Sequence, residues 1–165
     1  MNIQNAIQEG SKILKHYNCK TPLLDSEIIM SKVIHKDRHF IILNPGLIIK
    51  EDDLNNFKRL IKKRSKGNPI SYLIGKKSFW KNDFEVNNSV LIPRPDTELI
   101  IEETLKLSKF KNKLKILDIG VGSGCILLSI LNEKKNFYGT GIDISKKCID
   151  LSKKNSFKLN LDKRA

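Results

Sequence analysis

The chain has 165 residues, and its 31 Lys and Arg residues outnumber its 18 Asp and Glu residues to give a formal net charge of +13. A hydrophobic content of 39%, interspersed with charge, is enough to build a core and excludes a wholly disordered chain. No run approaches the roughly 18 apolar residues that a bilayer span requires, and the N-terminus has neither the basic nor the apolar region of a signal peptide. We expect a soluble, cytoplasmic protein with no membrane partner.

The basic residues are spread along the whole chain. Lysine supplies 26 of them and arginine 5, and neither is gathered on one segment. A nucleic-acid surface would cluster its charge or favour bidentate arginine, so direct nucleic-acid binding is not indicated. Cys19, Cys125 and Cys148 form no Cys-x-x-Cys pair, and His35 and His39 have no third ligand nearby, so we expect reduced thiols and no metal site.

The first 65 or so residues have the pattern of a small helical bundle. Apolar residues recur at three- and four-residue steps over residues 3–17, which predicts an amphipathic helix. Thr21-Pro22 is typical of an N-cap and first turn, and it opens a second predicted helix that runs to Ile34. A third predicted helix covers about residues 52–64 and ends before Gly67-Asn68-Pro69.

The next segment, residues 71–92, has the pattern of a linker with a hairpin. Phe79-Trp80 and the apolar pair Phe84 and Val86 flank Lys81-Asn82-Asp83, which predicts a short β-hairpin. Pro93-Arg94-Pro95 ends any strand there, and Asp96 is predicted to cap the helix that follows. That helix carries Leu99, Ile100, Thr104 and Leu107.

The last part of the chain has the order strand, glycine-rich turn, helix, strand and acid. A predicted strand over 114–119 runs into Asp118-Ile119-Gly120-Val121-Gly122-Ser123-Gly124, a helix follows, and a second predicted strand over 137–142 leads to Asp143. A basic helix begins near Ser145. This is the order of a Rossmann-type α/β fold.

The glycine turn predicts a site for a nucleoside-bearing cofactor. Alternate glycines let the backbone bend tightly and approach a ligand, and the helix after Gly124 offers free N–H groups. The carboxylate of Asp143, 23 residues after Gly120, is placed to accept ribose hydroxyl protons. A nicotinamide or flavin dinucleotide would require a third glycine at position 125, where the chain has Cys125. Glycines at 120, 122 and 124 after Asp118 fit better the Asp-x-Gly-x-Gly-x-Gly turn that binds S-adenosylmethionine.

Two further motifs carry a resemblance to a known family. Asn68-Pro69-Ile70-Ser71-Tyr72-Leu73-Ile74-Gly75 and Val90-Leu91-Ile92-Pro93-Arg94-Pro95-Asp96-Thr97-Glu98 precede the glycine turn. Together with that turn they resemble the HemK/PrmC family, the release-factor glutamine methyltransferases. The corresponding sequence motifs of that family are Pro-x-x-Tyr-x-x-Gly and Ile-Pro-Arg-Pro-Glu-Thr-Glu. Asp96 is a conservative departure, and the resemblance spans essentially the whole chain.

The resemblance implies roles for individual residues. Gly120, Val121, Gly122, Ser123 and Gly124 match the turn around the methionine part of S-adenosylmethionine. Asp118 matches the acid that opens this motif, and Asp143 matches the ribose-binding acid. Pro93, Arg94 and Thr97 match the loop over the active site. The helical domain matches the part that grips the release factor, and Lys153-Lys154-Asn155 lies where the family has an Arg-Glu-Asn-like stretch.

The implied reaction is methyl transfer to the side-chain amide of the glutamine in the Gly-Gly-Gln loop of peptide chain release factors. The family holds that amide with an Asn-Pro-Pro-Tyr motif, which does not occur in residues 1–165. We therefore expect the N-terminal part of a longer enzyme, with no catalytic residue of its own. The alternative is a non-catalytic module that binds a release factor or a ribosomal protein.

The predicted fold class is α/β in three parts. Residues 1–66 form a helical release-factor-binding domain, and residues 67–110 form a β-hairpin and helix linker. Residues 111–165 form the truncated start of a class I, Rossmann-like methyltransferase domain, with two strands of its sheet.

Overall fold

A computed structural model describes all residues from Met1 to Ala165 as a mixed α/β protein with two small sheets. The elements in chain order are α1 (Ile3–His16), α2 (Pro22–Ile34), α3 (Arg38–Leu43), α4 (Glu51–Ser65), α5 (Ile70–Ile74), β1 (Lys76–Phe79), β2 (Asn82–Glu85), α6 (Glu98–Leu107), β3 (Lys115–Ile119), α7 (Cys125–Glu133), β4 (Tyr138–Ile142) and α8 (Lys146–Lys158). A 3₁₀ turn over Pro95–Thr97 precedes α6. None of the helices is long and apolar enough to cross a membrane.

The chain divides into two compact units, Met1–Ile74 and Gly75–Ala165. The segment predicted as a linker, residues 67–110, is divided between them. Its short helix α5 packs against α2 and α4 in the first unit, while its hairpin and α6 belong to the second. The division into residues 1–66, 67–110 and 111–165, with the role given to each part, therefore stays a prediction.

The first unit confirms the helices expected from apolar periodicity. Their apolar residues form one core together with Ile41 of α3 and with Ile49, which precedes α4. This core buries Ile3, Ala6, Ile7, Leu14, Ile29, Met30, Val33, Ile41, Ile49, Phe57, Leu60 and Ile61. Thr21 is the N-cap residue of α2 and Pro22 its first residue, as predicted, although the Thr21 hydroxyl donates to Asp25 Oδ1 and accepts no helix N–H. The helices α3 and α5 were not predicted, since six and five residues are too short to display a helical period.

One buried ion pair joins two helices of this unit. Asp25 on α2 is buried, and its Oδ2 accepts a hydrogen bond of 2.7 Å from Arg64 Nε on α4. Cys19 Sγ donates to the same oxygen at 3.1 Å. A buried carboxylate requires such partners, because an unpaired charge in the interior is costly.

The second unit begins with the predicted hairpin, but the position of its turn differs. Strands β1 and β2 pair in antiparallel fashion with Phe79 opposite Asn82, so the turn consists of Trp80 and Lys81 alone. Trp80 takes a positive φ of 53°, and its backbone N–H donates to Glu98 Oε1 at 2.7 Å. The prediction of a loop over residues 81–83 was wrong, because aromatic content alone does not fix the register of a hairpin.

The helix predicted after the proline-rich loop is present, but its cap is not. Asp96 lies within the 3₁₀ turn, and no side chain caps α6. Ile101 supplies the buried contact of this helix, whereas Leu99, Ile100 and Leu107 are exposed.

Strands β3 and β4 form a parallel pair joined through α7. The register places Asp118 opposite Gly141 and Ile119 opposite Ile142. The core of this unit buries Phe79, Phe84, Ile101, Val121, Leu127, Leu128, Ile130, Leu131, Phe137 and Leu161. Because both strands run in the same direction, the glycine turn and Asp143 emerge at the same edge of the sheet.

Candidate functional site

The turn after β3 depends on the conformational freedom of glycine. Gly120, Gly122 and Gly124 have φ values of +87°, +54° and +80°, in the left-handed region that L side chains rarely adopt. Gly120 N–H and Val121 N–H both donate to the carbonyl of Ile142, at 2.8 and 3.0 Å. These two hydrogen bonds therefore connect the turn to the last residue of β4.

The three glycines are required for different reasons. A Cβ on Gly120 would meet no atom within 4 Å, and one on Gly122 would meet only Gly120 O at 3.9 Å. A Cβ on Gly124 would lie 2.8 Å from Leu128 Cδ1 and 3.3 Å from Ser152 Cβ. The first two glycines thus leave open space that a ligand can fill, and the third allows α7 and α8 to pack closely.

Asp143 lies directly after β4 and contacts the turn. Its Oδ2 accepts from Gly122 N–H at 3.0 Å, and its Oδ1 accepts from Ser145 N–H at 2.8 Å. The Ser145 and Gly122 N–H groups hold the pKa of Asp143 below its usual value because they stabilise the carboxylate. Asp143 also lines a shallow depression with Ile119, Gly120, Ile142 and Ile144.

Asp118 occupies the last-but-one position of β3 and is partly buried. Burial raises the pKa of its carboxyl group above the usual value, and the negative charge of Asp143 raises it further. The two carboxyl groups at this edge of the sheet are therefore shifted in opposite directions. The backbone N–H groups of the turn stabilise the ionised form of Asp143.

Val121 and Ser123 are both buried within the turn. The Val121 side chain fills the space above Gly141, where a Cβ would come within 2.6 Å of Val121 Cγ2. Ser123 presents its carbonyl oxygen to Asn155 on α8. The structure thus brings together Asp118, residues 120–124 and Asp143 as one cluster.

The predicted loop residues lie in and before the 3₁₀ turn. Pro93 is buried, Arg94 is exposed and Thr97 is partly buried. Thr97 N–H donates to the Arg94 carbonyl at 3.1 Å, which closes the turn. Their position over an active site stays a prediction.

One residue of this cluster had no predicted role beyond a family match. Asn155 is 1% exposed and hydrogen-bonds to Ser123 and to Glu85 of β2. The sequence did contain a signal for a buried polar residue here. Asn155 follows Cys148 and Leu151 at helical spacing on the buried face of α8, where an apolar residue is expected.

Comparison with known proteins finds similarity both for the N-terminal part and for nearly the whole length of the chain. Residues 5–75 match the family model described as the PrmC N-terminal domain. A release factor glutamine methyltransferase of Buchnera aphidicola subsp. Baizongia pistaciae is 40% identical over 161 residues, which cover 98% of this chain and 58% of that protein. The enzyme of the same name from Clostridium acetobutylicum is 39% identical over 164 residues, which cover 99% of this chain and 58% of that protein.

A third relative, from Caulobacter vibrioides, has the same name and is 34% identical over 92% of this chain and 53% of its own length. Over nearly its whole length the chain is similar to release factor glutamine methyltransferases, and its N-terminal part matches the PrmC N-terminal domain, as the sequence motifs indicated. It spans somewhat more than half the length of these curated relatives.

Proposed function

We propose that the glycine turn and Asp143 bind S-adenosylmethionine. The backbone of residues 120–124 would contact the methionine part, in the open space over Gly120 and Gly122. Asp143 would accept ribose hydroxyl protons, since each carboxylate oxygen has a second lone pair beyond the one that its backbone N–H uses. When bound, the cofactor supplies a methyl group on a positively charged sulfur.

The contact between Asp143 and Gly122 N–H carries this proposal. It unites the acid and the open glycine turn, 21 residues apart, in one site at the carboxyl edge of a parallel strand pair. Ligands of open α/β sheets bind at this edge. Under this proposal β3, α7 and β4 are the first crossover of a class I, Rossmann-like methyltransferase domain.

We further propose the substrate from the names of the relatives. The protein to which this chain corresponds would methylate the side-chain amide of glutamine in peptide chain release factors. An amide nitrogen is a poor nucleophile, so such an enzyme must hold it in line with the methyl group. The helical unit would contact the release factor, and Pro93, Arg94 and Thr97 would form the loop over the substrate.

The cofactor proposal is tested by calorimetric titration of the chain with S-adenosylhomocysteine, and with NAD as the competing class of ligand. We expect saturable binding of S-adenosylhomocysteine and none of NAD. Binding of NAD alone would replace the proposal with a dinucleotide site. Pull-down of purified release factor by residues 1–74 tests the partner separately, because that unit does not contain the glycine turn.

A further inference from the structure

The side chain of Asn155 connects three parts of the second unit. Its Nδ2 donates to Ser123 O at 2.8 Å and to Glu85 O at 3.1 Å, and its Oδ1 accepts from Glu85 N–H at 2.8 Å. These bonds link α8, the glycine turn and the end of β2. With the residue 1% exposed, water does not compete for them.

The glycine turn is consequently held from two sides. Asp143 fixes the N–H of Gly122, and Asn155 fixes the carbonyl of Ser123, the next residue. The backbone between these two points borders the open space over Gly120 and Gly122. Any change in the Ser123 peptide plane would therefore alter the surface that faces a ligand.

Helix α8 also forms a hydrogen bond with the segment that follows β2. Besides the two Asn155 bonds to Glu85, Cys148 Sγ donates to the carbonyl of Ser89 at 3.2 Å. Residues 85–89 lead to the loop of Pro93 and Arg94. Helix α8 thus contacts both the glycine turn and the segment that precedes the predicted substrate loop.

From these contacts we infer that Asn155 is a positioning residue, which sets the conformation of the glycine turn for cofactor binding and ties it to β2. A purely structural role would be served by an apolar residue at this buried site, since a buried amide must find partners for its polar atoms. The three side-chain hydrogen bonds of Asn155 all go to backbone groups of the turn and β2. The inference rests on the proposed cofactor site.

The test compares Asn155→Asp with Leu161→Ala. The first keeps the shape of the side chain and removes both donor hydrogens, and the second removes a core side chain, 2% exposed, that makes no hydrogen bond to the turn. Hydrogen exchange of the Gly122 and Gly124 amides is measured relative to that of Ile130 and Leu131 on α7. We expect Asn155→Asp to raise this ratio about tenfold, the effect of one lost hydrogen bond, and Leu161→Ala to leave it unchanged.

Affinity for S-adenosylhomocysteine is the second measurement. We expect Asn155→Asp to weaken it about tenfold and Leu161→Ala to leave it at the parent value. An equal exchange ratio in both variants, or a raised ratio with unchanged affinity, would overturn the inference. Absence of binding by the parent chain refutes the cofactor site instead, while the exchange ratio still decides whether Asn155 sets the turn. Asn155→Ser, which buries no charge, gives the same readout if the aspartate variant does not fold.

Discussion

Asp143 Oδ2 accepts a hydrogen bond of 3.0 Å from the backbone N–H of Gly122. This contact makes the acid at the end of one strand part of the turn that follows the neighbouring strand. It also gives Asp143 two tasks under our proposal, because the same carboxylate would shape the turn and accept the ribose hydroxyls. The effects of substitution at these two residues should therefore be coupled.

Asp143→Ala should weaken binding of S-adenosylhomocysteine by about 1.5–3 kcal/mol, the scale of a hydrogen bond to a charged group. The variant loses both the ribose acceptor and the support of Gly122 N–H. Calorimetric titration measures the change. Asp150→Ala is the matched control, because this exposed carboxylate lies on α8 outside the turn and should not affect affinity. Equal affinity in Asp143→Ala and the parent would remove Asp143 from the site.

Gly122→Val should abolish ligand binding while the helical content stays nearly that of the parent. The reason is the backbone angle, since φ is +54° and a β-branched residue is strained there whatever the surrounding space. Circular dichroism and titration measure the two quantities. Gly46→Val provides a control, because Gly46 has open space around it and no positive φ. Normal binding by Gly122→Val would mean that the turn is only structural.

The lowered pKa of Asp143 predicts how acid affects stability. A carboxyl group whose folded pKa is depressed stabilises the fold above its unfolded pKa, about 3.9, and this contribution is lost as the pH falls through the folded value. Asp143→Asn should therefore destabilise the chain at pH 6 and have progressively less effect below about pH 4. Urea unfolding of both proteins across this range measures the difference. A difference independent of pH would contradict the assignment of the charge effect to Asp143.

Sequence periodicity could predict the helices α1, α2 and α4 and the strand, turn, helix and strand order around the glycines, because these are local patterns with long apolar stripes. The turn of the hairpin could not be predicted, since its register depends on Trp80 contacting Glu98 and Glu133 far along the chain. The contacts of Asn155 span 32 and 70 residues, and no local pattern encodes them. The part of the site built from adjacent residues could thus be predicted, whereas the sequence showed Asn155 only as a polar residue on an apolar stripe and did not indicate its partners.

The ion pair of Asp25 and Arg64 should contribute strongly to the stability of the helical unit. Arg64→Ala leaves a buried carboxylate without its cation, which typically costs about 3–5 kcal/mol. Arg38→Ala breaks a 2.7 Å ion pair with Glu27 whose arginine is half exposed, and such surface pairs are worth about 0–1 kcal/mol. Urea unfolding of residues 1–74 compares the two losses. Similar losses in both variants would show that burial does not distinguish these pairs.

The exposed face of the parallel strand pair should cause the chain to self-associate. Leu117 and Ile119 on β3 are 60% and 75% exposed, and Ile142 on β4 is 46% exposed. Parallel strands are normally covered on both faces, and an uncovered apolar face favours association. The double variant Leu117→Thr, Ile119→Thr removes apolar surface but keeps side chains that suit a strand, so we expect it to remain monomeric at concentrations where the parent associates. Lys115→Thr alters the same face without removing apolar surface and should associate like the parent. Sedimentation over a concentration series measures the oligomeric state. A parent chain that stays monomeric throughout would show that this face does not cause self-association.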